Sequence, residues 1–167
     1  IIWRDRIGTA LGADPETLVR SDKQNRAQVF AELGFGEISA VPKPRDAVLP
    51  HELAQGAGEG AMMVLEVTAP VSEYRQGDLI WLRRIAASET ASAITRDCLV
   101  PRSGGRFVFG RLIDKKGSLV GVLPHQSGQK QQVIDKPDWI AVTEMLVRKL
   151  CAALPKRTDH EAGHRPL

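Results

Sequence analysis

Residues 160–164, His160-Glu161-Ala162-Gly163-His164, place two imidazoles four positions apart with a carboxylate beside the first. On a helix that spacing puts both rings on one face, where they can bind zinc while the glutamate polarises a water. The surroundings oppose this chemistry. Gly163 and Pro166 weaken any helix here, and the segment is a charged tail. A catalytic zinc also needs a third protein ligand. No metal and no cofactor is therefore expected. Cys98 and Cys151 form neither a metal-type pair nor a disulfide framework, so a reducing cytoplasm is the expected setting. The basic pairs Arg83-Arg84 and Lys156-Arg157 have no interleaved aromatics and read as solvated ends rather than a nucleic-acid surface. Leu99-Val100-Pro101-Arg102-Ser103-Gly104 matches a thrombin-type cleavage sequence, but it falls inside an expected hairpin.

The elements that must position any site are bounded by composition. With 167 residues, 43% apolar and 26% charged, the chain reads as one soluble domain plus a small appendage. A net charge of +3 is too mild to argue nucleic-acid binding by these residues alone. No apolar run approaches the ~20 residues of a membrane span, so no membrane role is expected. The opening Ile1-Ile2-Trp3-Arg4-Asp5 lacks the basic and apolar regions of a signal peptide. Without an initiator Met it reads as a fragment or a processed chain.

Residues 1–35 read as helical. Trp3, Ile7, Ala10 and Leu11 recur at helical spacing, and Asp14-Pro15-Glu16 offers a cap, a first-turn proline and a first-turn acid. A second helix is predicted over roughly 22–33, with Ala27, Phe30, Ala31 and Leu33 as its stripe and Gly34 after its end. Residues 36–60 read as a flexible linker, broken by Pro42, Pro44 and Pro50 and loosened by Gly56, Gly58 and Gly60. From Ala61 the pattern turns to short strands, over 62–67, 79–84, 99–101, 106–113, 119–123 and 131–134. Residues 85–96 fit no element clearly. The segment 139–150 fits strand or helix by periodicity, and its β-branched residues favour strand for the first part. Residues 61–154 thus form a β domain, and 155–167 a disordered tail.

Within the β domain, Gly77-Asp78-Leu79-Ile80-Trp81-Leu82 is followed by Arg106-Phe107-Val108-Phe109-Gly110-Arg111-Leu112 and then by Ser118-Leu119-Val120-Gly121-Val122-Leu123-Pro124. This order resembles the C-terminal domain of LexA and the lambda-type phage repressors, the LexA-signal peptidase-like family. There a Gly-Asp pair opens a strand, and a strand ending in Lys-Arg-Leu follows. A hairpin, a Leu-Pro strand end and a last strand bearing the dimer surface complete the pattern. The resemblance spans about residues 61–150 and implies a LexA-like β fold there, so with the helical pattern of 1–35 the expected class is mainly β with short N-terminal α-helices. Separately, residues 6–18 resemble the closing helices of a Cro/repressor helix-turn-helix, which would put the DNA-reading helices before Ile1.

The resemblance also implies what chemistry to look for. The family cleaves itself with a serine nucleophile and a lysine base of lowered pKa. Here the serine falls at Thr68, Ala69 or Val71, with Ser72 one step away, and the lysine position is Gly110. Lys115 and Lys116 sit on a turn and would be solvated. The dyad is degenerate and no enzyme activity is expected. Ala57-Gly58 resembles the family's cleavage bond but is an ordinary small-residue pair in a loop. The implied role is dimerisation and regulation of a helix-turn-helix repressor, bacterial or prophage-encoded. The dimer surface would be Trp139, Ile140, Val142, Leu146 and Val147. Implied partners are a second copy, operator DNA through the upstream domain, and an antirepressor protein or ligand that releases it. Two other readings stand beside this one: an active self-cleaving peptidase using Thr68 or Ser72, and an interaction module with no DNA role.

Overall fold

Ile80, Trp81 and Leu82 are three consecutive residues, and all are buried. A strand that hides three neighbours in a row must be covered on both faces, because successive side chains point opposite ways. The structure, a computed structural model, describes residues 26–55 and 60–150. It is mainly β. The strands are β1 (Arg26–Gln28), β2 (Ala31–Gly34), β3 (Glu37–Ser39), β4 (Asp46–Val48), β5 (Met62–Val67), β6 (Leu79–Ile85), β7 (Asp97–Arg102), β8 (Arg106–Lys116), β9 (Leu119–Pro124), β10 (Gln132–Asp135) and β11 (Ile140–Val147). A one-turn helix α1 (His51–Ala54) follows β4, and a 3-10 helix (Ala87–Ala93) fills the stretch after β6.

Nine strands form one sheet in the order β10-β9-β8-β7-β11-β6-β5-β2-β3, while β1 and β4 pair separately. Every neighbouring pair in the sheet is antiparallel except β2 with β5. The sheet curls until β3 comes alongside β8. Inside the curl lie Leu33, Leu65, Ile80, Leu82, Leu99 and Phe109. The outer face carries two further clusters. Trp81 and Val64 are roofed by Val29 just after β1, Ala47 of β4 and Leu53 of α1. Cys98, Val100, Leu112 and Val122 pack with Ala93 of the 3-10 helix and Ile134 of β10. Both faces are therefore dry where the strands read as unbroken apolar runs.

The hairpin turns follow the glycines. Gly104 and Gly105, at φ +76° and +69°, join β7 to β8, and Gly117, at φ +58°, joins β8 to β9. Glycine alone adopts these angles without strain.

Two expectations do not hold. The helix predicted over 22–33 is replaced, within the described residues, by β1 and β2. Ala27, Phe30 and Ala31 fit a helical period only because the segment is short. The stronger pattern is Ala31 and Leu33, two apart and both buried in the inner core. Pairing with β5 on one side and β3 on the other then satisfies the backbone. The β body accordingly begins well before Ala61. The supposed linker 36–60 also holds β3, β4 and α1. Its three prolines do break regular structure, but between elements: Pro42 and Pro44 precede β4, and Pro50 precedes α1. Residues 1–25, 56–59 and 151–167 lie outside the described residues. The readings made on Asp14-Pro15-Glu16, Ala57-Gly58, Cys151 and His160–His164 therefore go no further here.

Candidate functional site

The loop from β5 to β6 and the middle of β8 do come together, but without a dyad. Thr68 donates its N–H to the Leu33 carbonyl at 2.8 Å and its hydroxyl to the same oxygen at 3.4 Å. That hydroxyl is tied to β2. Ala69 follows it and has no hydroxyl. Val71 is buried and forms a two-bond bridge with Tyr74: its N–H donates to the Tyr74 carbonyl at 3.1 Å, and its carbonyl accepts from the Tyr74 N–H at 3.0 Å. Ser72 sits exposed at the tip of this tight turn, at φ +52°, facing solvent.

Gly110 lies in β8 between Cys98 of β7 and Pro124 of β9. A Cβ there would stand 2.2 Å from the Leu123 carbonyl oxygen and 2.8 Å from the Pro124 Cα. Backbone occupies the space, so the β8–β9 pairing itself excludes any side chain at this position. Lys115 is five residues farther along the strand, about 16 Å at the usual rise. Its Nζ donates to the Ala87 carbonyl at 3.1 Å.

What the loop delivers to β8 is Tyr74. Its ring packs edge-on against Phe109, with centroids 5.5 Å apart, and against His125 at 5.9 Å. Its hydroxyl donates to Asp97 Oδ2 at 2.5 Å. The other carboxylate oxygen faces Arg111 Nε at 3.4 Å and His125 Nε2 at 3.0 Å. The imidazole contact has ion-pair distance, but Nε2 is off the line a directed hydrogen bond needs. Asp97 is thus a buried carboxylate ringed by three donors from three elements: the β5–β6 loop, β8 and the segment after β9.

The electrostatics fix what this cluster can do. Burial pushes the Asp97 carboxyl up. The close approach of His125 and the hydrogen bond from Tyr74, with the charge of Arg111 beside them, more than offset this and leave it below the ordinary carboxylate range. Tyr74 is pushed far up, first by burial and then by its bond to Asp97, so its phenol stays protonated. Burial pushes the neighbouring Cys98 thiol up to about 12, and the Asp97 charge adds to that. The aspartate is ionised but fully engaged, and the phenol and thiol hold their protons. The arrangement supplies a structural anchor between three elements and no activated nucleophile. Sequence reasoning did not single out Tyr74, Asp97, His125 or Arg111. Arg111 lay in the quoted Arg106–Leu112 motif, but without a role of its own, and Asp97, Arg111 and His125 are brought together only by pairing across β7, β8 and β9.

The expected dimer residues divide. β11 is not an edge strand. It pairs with β6 along its whole length and with β7 at Ala141 and Val142. Ile140 and Val142 are 4% and 2% exposed and belong to the protein's own outer core, so neither faces a second copy. Trp139 is half-buried, packed against Phe30 and Phe107, with the Arg84 guanidinium 4.4 Å above its ring. Val147 is half-buried against the Trp81 cluster. Leu146, at 40% exposed, points outward, as does Leu150 at 88%. Among the described residues no strand pairs with Glu144–Val147 on the side away from β6, so this end of β11 keeps an open edge.

The Arg83-Arg84 pair is not a solvated end either. Arg83 is buried, donates to Glu144 Oε1 at 2.7 Å and reaches the carbonyls of Leu53 and Gly60. Among the described residues no helix is long and apolar enough to cross a membrane, and no group of three acidic, His or Cys side chains could hold a metal ion. A scan against models of known protein families finds no match, and a search among curated proteins finds none either.

Proposed function

We propose that this chain is the regulatory and dimerisation part of a phage-repressor-type, helix-turn-helix transcriptional regulator, cytoplasmic and incapable of cleaving itself. The observation that carries the reading is the place of Gly110. It stands in the strand where the resemblance puts a lysine base, in the right order after the Gly77-Asp78 strand opening and before the Leu123-Pro124 strand end. The neighbouring strand leaves no room for a side chain there. The nucleophile positions fit the same loss: Ala69 has no hydroxyl, Thr68 is bonded to β2, and Ser72 is at an exposed turn tip.

In this reading two chains associate through the open end of β11 around Leu146, Val147 and Leu150. Each presents one upstream DNA-reading head, so paired heads meet a palindromic operator and gain affinity through effective concentration. Release from DNA then comes from an antirepressor protein or a ligand. The test is a transplant. Residues 1–167 are fused behind a monomeric helix-turn-helix domain whose operator is known, and repression of a reporter is measured. Strong repression that Leu146→Glu abolishes supports the role. Repression no better than the isolated head excludes it. Mass spectrometry after incubation at alkaline pH checks the second half, with an intact chain as the expected result.

A further inference from the structure

We propose that the cavity between the 3-10 helix, the β8–β9 hairpin and the β10–β11 connection binds a small organic carboxylate with an apolar body, of the medium-chain fatty-acid kind. The cavity holds about 350 Å³ and is walled by Ile85, Ala87, Val120, Trp139 and Ile140. That size is at the lower end for small-molecule sites, and apolar walls with a few placed polar groups are their usual make-up.

Two lysines, Lys115 and the exposed Lys136, are among its lining residues. Lys115 gives one hydrogen bond, to the neutral Ala87 carbonyl at 3.1 Å, and no carboxylate among the described residues pairs with it. Lys136 makes no side-chain hydrogen bond or ion pair among the described residues. It is held in the left-handed region at φ +43°, with its N–H on the Ser118 carbonyl at 3.0 Å. A non-glycine residue pays for that angle only where its surroundings enforce it. Of the nearby acids, Asp135 accepts from the Ser118 hydroxyl at 2.6 Å, outside the cavity lining, and Asp138 alone shares the wall. Two cations against one carboxylate leave the lining net positive over an apolar floor. A carboxylate head on the lysines with its chain against Ile85, Val120 and Trp139 satisfies both halves. A bare inorganic anion would leave the apolar walls unused, and an uncharged chain would leave the lysines unpaired. The inference is independent of the repressor reading.

The experiment titrates the full chain with decanoate below its micelle concentration, followed by calorimetry and by tryptophan fluorescence. Decanol and decyltrimethylammonium serve as the uncharged and cationic counterparts. Saturable binding of decanoate is expected, at least tenfold tighter than decanol, with no saturable binding of the cation. Lys136→Glu should weaken decanoate at least tenfold. Lys149→Glu, an exposed lysine outside the lining, should leave it unchanged. Trp139→Phe should remove the fluorescence change while calorimetric binding persists, which assigns the signal to this wall and not to Trp81 or Trp3. Equal affinity for decanol and decanoate, equal effects of the two lysine variants, or no saturation with decanoate would each overturn the proposal. Circular dichroism showing both lysine variants folded keeps the comparison clean.

Discussion

Arg148 grips Asp78 with both ends of its guanidinium fork: Nε donates to Oδ1 at 2.8 Å and Nη2 to Oδ2 at 2.6 Å. The same Nη2 reaches the Glu73 carbonyl at 3.0 Å, and the Arg75 N–H donates to Asp78 Oδ2 at 2.8 Å. Asp78 is only 1% exposed, so the carboxylate that opens β6 is a buried clasp joining the end of β11 to the turn that presents Tyr74. Bidentate charge-assisted bonds are the strong kind, and truncating one partner of a buried set leaves the others unpaired. Asp78→Ala is expected to destabilise the chain by about 2–3 kcal/mol. Thermal unfolding is the measurement, and a melting curve unchanged from wild type would rule the clasp out as a stabilising element.

Acid should unfold this protein through two carboxylates. The hydrogen bonds from Arg148 hold Asp78 below the ordinary range against the opposing effect of burial. Asp97 is lowered by its donors despite a larger burial penalty. A carboxyl whose folded pKa lies below its unfolded value binds protons first in the unfolded chain. Its stabilisation is complete above about pH 4 and drains away as pH falls through the folded pKa. Stability should therefore change little on account of these groups near neutrality and drop steeply below about pH 4. Denaturant titrations at a series of pH values check this. Asp97→Asn should flatten the acid limb, and a variant with the same slope as wild type would show that Asp97 is not a source of it.

The strands after Ala61 were legible in the sequence because each carries its own signal. Gly104-Gly105 and Gly117 mark turns, and β-branched or aromatic runs such as Ile80-Trp81-Leu82 and Phe107-Val108-Phe109 fill the strands. The strands before it were not. β2 is four residues long, and its identity comes from a parallel partner, β5, about thirty residues away. No local window contains that pairing. Trp139 was expected at an interface and is found against Phe30, a contact between connecting segments distant in the chain. The Asp97 cluster was hidden for the same reason. A lone Asp before Cys98, a His after Leu123-Pro124 and an Arg after Gly110 have no common spacing until β7, β8 and β9 align them. That position 110 is glycine was legible, but why no side chain fits there was not, since it depends on where the Leu123 carbonyl points.

If the proposed reading is right, placing a lysine base at position 110 should still give no cleavage. A Cβ at Gly110 would meet the Leu123 oxygen at 2.2 Å, so Gly110→Ala must push β9 away from β8. Overpacking of this kind costs about 1–3 kcal/mol, and a lysine should cost at least as much. The double variant Ala69→Ser, Gly110→Lys is therefore expected to melt earlier than wild type and still remain intact at alkaline pH. Mass spectrometry that finds new, specific fragments from a folded double variant would mean the strands can yield and that the cleavage machinery is nearer to assembly than the packing indicates.

The divided β11 makes a sharper prediction about association than its sequence did. Val142 is 2% exposed beside Cys98, Leu112 and Val122, so a charge there is buried without a partner and unfolds the monomer. Leu146 is 40% exposed next to an unpaired stretch of strand, so a charge there is solvated in the monomer and harmful only where a second copy covers it. Val142→Glu is expected to lose several kcal/mol of stability, by the roughly 2–7 kcal/mol scale for uncompensated polar burial. Leu146→Glu should keep its melting temperature in dilute solution, within about 0.5 kcal/mol of wild type, and shift the oligomeric equilibrium toward monomer. Light scattering and melting curves on the same samples separate the two effects. If wild type is monomeric at tens of micromolar, or if Leu146→Glu leaves a dimer untouched, the open end of β11 is not where copies meet. A monomeric wild type rules out the dimer itself, whereas a dimer that survives Leu146→Glu points to another exposed strand, such as β10 with its outward Val133.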